Sequence, residues 1–189
     1  MKKFSKSELI SLFVIFLILL GISIPNFIVS LRRSRDQTRR DDMGIMQQIL
    51  GEYFIEHMFY PLASSDGRVL NCLKPGDKPV KDSRGFWKYD PIPCAWGTEA
   101  FKNLTTDKIY VSLLPRDPSY QEGASYLYIS DGTAYQVFAA MEGLDEAEID
   151  PKIVARGLSC GNKICNIGRS YNVPTDVSIE EYNKTLPVK

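Results

Sequence analysis

The feature that most restricts this chain is a run of 23 consecutive uncharged residues, Leu9 to Leu31, built mainly from Leu, Ile, Phe and Val. As a helix the run spans roughly 35 Å, enough for a hydrocarbon core of about 30 Å. A removed secretory signal has a shorter apolar stretch, about 7–15 residues, followed by a small-x-small cleavage site. Here the run passes through Ser30 and Leu31 into Arg32, and reads as a retained membrane helix. Two residues do not belong in a plain anchor. Glu8 stands directly before the run and Pro25 lies inside it.

The remainder of the 189 residues is sized for one globular head. Lys and Arg together number 23, as do Asp and Glu; a chain without basic excess argues against nucleic acid as a partner. All four cysteines, Cys72, Cys94, Cys160 and Cys165, follow the membrane run. An even number on one side of a membrane helix points to disulfides in an oxidising, extracytoplasmic compartment. Of the three connectivities, the local pairs Cys72–Cys94 and Cys160–Cys165 are the economical choice, with free thiols and metal as alternatives. Zinc has less to support it, because "CGNKIC" is widely spaced and the single histidine, His57, is far away in sequence. One rule opposes this orientation. Lys2, Lys3 and Lys6 precede the run while Arg32, Arg33, Arg35, Arg39 and Arg40 follow it, and the positive-inside count alone would place the head in the cytoplasm.

Beyond the run, Met43, Met46, Ile49, Leu50, Tyr53, Phe54, His57 and Met58 recur at offsets of three and four. That is an amphipathic stripe of helical period. Pro61 is the first proline after Pro25, so one helix is expected from about Phe4 to Phe59, roughly 80 Å long. Residues 61–118 are rich in turns, with a short helix expected at "GTEAFKNL" and a weak strand at "IYVSLL". "ASYLYIS-DG-TAYQVFAAM" reads as a hairpin, since Asp131-Gly132 suits the positive φ angles of a two-residue turn. Tyr126, Tyr128, Tyr135 and Phe138 are suited to pack on its pleated face. The acidic stretch "EGLDEAEID" reads as a solvated loop, and the tail from Leu158 as loop pinned by a disulfide. The expected fold class is α+β: a long N-terminal helix, partly transmembrane, packed on a small antiparallel sheet.

"FSKSELISLFVIFLILLGISIPNF" resembles the N-terminal signature of type IV pilins and type II secretion pseudopilins. In that family a Phe opens the mature chain, a Glu follows four residues later, and a Pro comes seventeen residues after the Glu; Phe4, Glu8 and Pro25 fall at those positions. Tyr60-Pro61, the "PRDP" turn and the "SDG" hairpin are also similar, so residues 4–60 match well and 110–142 loosely. The resemblance implies a pilin-like division: a leader of residues 1–3, a filament-core half at 4–31, an amphipathic half at 32–60 and an extracytoplasmic head at 61–189. It implies a structural subunit held in the cytoplasmic membrane, bathed in lipid, then assembled into a cell-surface filament with copies of itself and sister pilins. An inner-membrane assembly platform and a prepilin peptidase would serve it. Glu8 would set the axial register between helices, because a charge pair in an apolar bundle is satisfied at only one stagger. Pro25, lacking an N–H, is expected to kink or locally unwind the helix. The peptidase normally cuts after Gly, whereas Lys3 precedes Phe4. An uncut leader would leave Glu8 in need of another cation, such as Lys6 of a neighbour. The alternative is a single-pass anchored binding or sensor domain that never polymerises.

No catalytic constellation emerges, and no enzymatic role is expected. His57 lies on the core stripe, and phosphate-loop and nucleophile motifs are missing. Asp117, Glu122, Asp131, Asp145, Glu146 and Asp150 are the acids that could hold calcium, though without a fixed ligand spacing. No other cofactor is indicated. Trp87 and Trp96, with Phe86 and Tyr89, are expected in the core or over a disulfide rather than as an exposed binding patch.

Overall fold

The computed structural model describes residues 5–186. Helix α1, Lys6–His57, runs for 52 residues, roughly 80 Å. Ser5 caps its start and Met58, at φ 62°, closes it in the left-handed conformation. The helical backbone continues through Pro25, so the local unwinding expected there does not occur in the single chain. Leu9 to Leu31 is entirely exposed, and beyond it one stripe is buried: Asp36, Arg39, Met43, Met46, Ile49, Leu50 and Tyr53.

Short strands follow. β1 (Leu70–Cys72) pairs antiparallel with β4 (Ile92–Pro93), and between them β2 (Val80–Lys81) and β3 (Trp87–Lys88) form a small hairpin. β5 (Phe101–Lys102) pairs with β6 (Ile109–Val111). The helix expected at "GTEAFKNL" is therefore a turn leading into a strand. Gly97 N–H donates to the Leu114 carbonyl and Leu114 N–H to that of Glu99, at 2.9 and 2.8 Å. Cross-strand pairing overrides the weak local helix preference.

The central sheet is β7 (Leu127–Ser130), β8 (Tyr135–Ala139) and β11 (Ile167–Tyr171), in the order β11-β8-β7. The expected hairpin forms, with Ser130 opposite Tyr135. Its loop has four residues rather than two. The Asp131 side chain accepts from the N–H groups of Thr133 and Ala134, both at 2.9 Å, and folds the loop around itself. The tail is more ordered than a pinned loop. Helix α2 (Pro151–Ala155) precedes the β9–β10 ribbon (Ser159–Cys160 with Lys163–Ile164), β11 completes the central sheet, and α3 (Ile179–Thr185) closes the chain.

β8 is buried on both faces. Tyr135, Val137 and Ala139 face the helix and join Met43, Met46, Leu50 and Tyr53, together with Tyr126, Tyr128, Phe101 and Ile167. Phe138, on the opposite face, packs with Ile153 and the Cys160–Cys165 pair. Gly168 lies against Phe138 so closely that a Cβ would come within 2.6 Å of the ring. Both expected disulfides form, Cys72–Cys94 and Cys160–Cys165. Trp96 packs against the core beside Tyr126 as expected. Trp87 and Phe86 do not. They stand exposed on the β2–β3 hairpin, 45% and 67% accessible, because two two-residue strands have no face large enough to cover them.

Candidate functional site

Two contiguous regions of α1 concentrate the unusual chemistry. The first is the bare rod. Its most apolar stretch has mean hydropathy 2.7 and none of it is buried within the chain, so lipid or other protein must cover it. At its mouth, Ser5 and Glu8 form a reciprocal cap: Ser5 N–H donates to Glu8 Oε2 at 2.7 Å, and Glu8 N–H to Ser5 Oγ at 3.3 Å. Such a capping box satisfies two orphan donors at a helix start. Pro25 removes one ladder bond, and next to it the Asn26 amide donates to the Ile22 carbonyl at 3.0 Å. The proposed cleavage point, Lys3 and Phe4, lies outside the described residues.

The second region is a polar clasp immediately beyond the rod. Arg32, Asp36 and Arg39 lie in phase with Met43, Met46, Leu50 and Tyr53, at alternating offsets of four and three. The buried seam therefore continues past the methionines as charge. Arg39 is fully buried; its Nε and Nη2 donate to the two oxygens of Asp117 at 2.8 and 2.9 Å, and Nη1 donates to Asp36 at 2.8 Å. Nη2 also reaches Ser119 Oγ at 3.2 Å and Glu142 at 3.1 Å. Asp36 accepts the N–H groups of Glu142 and Gly143, both at 2.9 Å. Fork-to-carboxylate geometry of this kind holds both charges in place.

Around this centre the acidic loop closes on the other arginines. Arg35 takes Glu142 with two bonds, Arg40 takes Glu146 at 2.8 Å and Glu148 at 3.0 Å, and Arg32 takes Asp145 at 3.1 Å. "EGLDEAEID" is thus not a solvated loop but the head's strap across the stalk. The Arg35 bond, opposed by burial and aided by Ser119 and Arg39, holds the Glu142 carboxyl at about 2. Next along the seam the Tyr126 hydroxyl donates to Asp42, whose carboxyl is raised chiefly by burial. At the far end of α1, Glu56 accepts from Lys108, from Tyr110 at 2.6 Å and from Asn103 at 2.9 Å, which together pull it to about 2.

The six acids considered for calcium are dispersed. Asp117, Asp145 and Glu146 are paired with arginines, Asp131 shapes the hairpin loop, Asp150 caps α2 and Glu122 ends a short 3₁₀ turn. Among the described residues no three of them bring their oxygens within 4.8 Å of one another; the one such group is Cys72, Cys94 and Glu99, and its thiols are spent in a disulfide. His57 stacks on Tyr53 at 4.1 Å with Nε2 buried and unpartnered, and burial lowers its pKa. Asp36, Arg39, Asp117 and Glu142 are the residues that sequence reasoning missed as a unit. The signal available was the unbroken three-four phase from Arg32 to Tyr53. No family model, no curated protein and no solved structure matches this chain.

Proposed function

We propose that this chain is a structural subunit, pilin or pseudopilin in kind, of a type IV pilus or type II secretion-like filament assembled through its N-terminal helix. The carrying observation is mechanical. A wholly unburied apolar rod, Leu9–Leu31, is continuous with a helix half that is locked into the head by core packing and a buried ion cluster. Rod and head are therefore joined by one unbroken helix, which is what a subunit drawn from lipid into a bundle of rods requires. The Phe4, Glu8 and Pro25 spacing supports the same reading, as does the disulfide-bearing head for an extracytoplasmic location. The arginines that oppose this orientation by count are, apart from Arg33, paired with the head's carboxylates. Copies of the chain, sister subunits, a membrane platform and a prepilin peptidase are the partners this role requires.

The second reading, a single-pass anchored binding or sensor domain, is favoured by one observation: Glu8 is already satisfied by Ser5 of its own chain. Paired substitutions separate the two. If Glu8 sets register between copies, Glu8→Ala abolishes sheared filaments in electron micrographs while Ser5→Ala, which breaks only the cap, leaves them. Equal filament yield from wild type and Glu8→Ala contradicts the filament role. Mass spectrometry of the mature N-terminus adds an independent reading, with cleavage before Phe4 predicted and an intact Met1 opposing it.

A further inference from the structure

A groove lies where the rod meets the clasp, and it is built from both signs of charge. It encloses about 590 Å³. One wall is the α1 face carrying Ser30, Ser34 and Gln37 with Arg33; the other is the acidic strap at Asp145 and Glu146. Arg33 is the one arginine of the five between Arg32 and Arg40 that forms no ion pair with the described residues. Asp145 keeps 70% of its side chain exposed even while touching Arg32. The groove thus offers an unspent cation on the helix and an accessible carboxylate across from it.

Its depth is fixed by the rod. The uncharged run ends at Leu31, and the polar headgroup layers add roughly 5–8 Å to each side of a hydrocarbon core of about 30 Å. From Ser30 to Gln37 the helix rises roughly 10 Å, so the groove opens into the headgroup layer whichever way the chain crosses. We propose that it is a binding site for a zwitterionic phospholipid headgroup carrying a primary ammonium, as in phosphatidylethanolamine. The phosphodiester sits against Arg33 and the Ser30 and Ser34 hydroxyls, and the ammonium donates to Asp145 and Glu146. Arg40 is committed to Glu146 and Glu148, so the site as a whole carries no large excess of either sign. An anionic headgroup without the ammonium would bring its negative charge beside the strap's carboxylates with no cation of its own to offer them, and a quaternary choline has no N–H to give them. The inference requires only that the rod spans the membrane and stands apart from filament assembly.

The test uses full-length protein in detergent, titrated separately with phosphatidylethanolamine, phosphatidylcholine and phosphatidylglycerol and read by native mass spectrometry. Expected is retention of one phosphatidylethanolamine, about tenfold above either other lipid. Arg33→Gln should lower retention of all three, since each carries the phosphate. Asp145→Asn should erase the preference for phosphatidylethanolamine while leaving total lipid retention. Both positions are exposed at the groove, and unchanged circular dichroism would show that the head remains folded. Equal retention of the three lipids, a preference for phosphatidylglycerol, or a wild-type pattern in both variants overturns the proposal.

Discussion

Arg39 is where the account is most exposed to measurement. Arg39→Met keeps the aliphatic stem in its slot and removes the guanidinium. Asp36 then retains two backbone donors, from Glu142 and Gly143, and stays largely satisfied. Asp117 retains only the Ser119 N–H at 2.8 Å and loses both bonds from the arginine. Removing one partner of a buried pair typically costs about 3–5 kcal/mol, because the other charge is left desolvated and unpaired. For a domain of this size each kcal/mol moves the melting temperature by about 2–4 °C, so a fall of roughly 6–20 °C is expected. The assay is urea and thermal unfolding of the full chain in non-ionic detergent, followed by tryptophan fluorescence, to which the half-buried Trp96 contributes. Adding Asp117→Asn to Arg39→Met removes the stranded charge and should recover part of the loss. A single variant within about 1 kcal/mol of wild type, or a second change that deepens the loss, would refute the buried-clasp reasoning.

The other predictions are simpler. Glu142 has its carboxyl pulled from 4.5 to about 2, so its stabilising contribution is complete above about pH 4.5 and lost as pH falls toward 2. Unfolding curves across that window should show Glu142→Gln losing less stability than wild type, and an identical slope would count against the strap. Replacing Cys72 and Cys94 together by Ala opens a loop of 22 residues' separation, worth about 3 kcal/mol in chain entropy. The same change at Cys160 and Cys165, separated by 5, is worth about 2 kcal/mol, and denaturant midpoints check the order. Trp87→Ala, on the exposed hairpin, should shift stability by less than about 0.5 kcal/mol, whereas Trp96→Ala should be clearly destabilising.

Much of this architecture was legible because periodicity and composition carry it. The rod, the methionine-to-tyrosine stripe, the local disulfides and the central hairpin each follow from short-range pattern, and the structure contains all four. What failed depended on partners distant in sequence. Nothing in the sequence marked Asp36 and Arg39 as a buried pair, because a charged residue on a seam betrays nothing until its partner, Asp117 or Glu142, is brought beside it. "EGLDEAEID" read as solvated for the same reason. β11 was hidden by Gly168, which weakens a strand pattern locally but is required by the close approach of Phe138. The "GTEAFKNL" helix lost to cross-strand pairing with residues 108–114 that no local propensity encodes.

The most direct test of the filament reading is photo-crosslinking from inside the rod. With benzoylphenylalanine in place of Phe16, an exposed position of the apolar run, irradiated sheared material should yield a ladder of covalent oligomers. Their cross-links should map to Leu9–Leu31 of another copy, since packed helices lie about 8–10 Å apart. Label recovered only on monomer or on lipid, in cells that contain the full assembly machinery, would contradict the account.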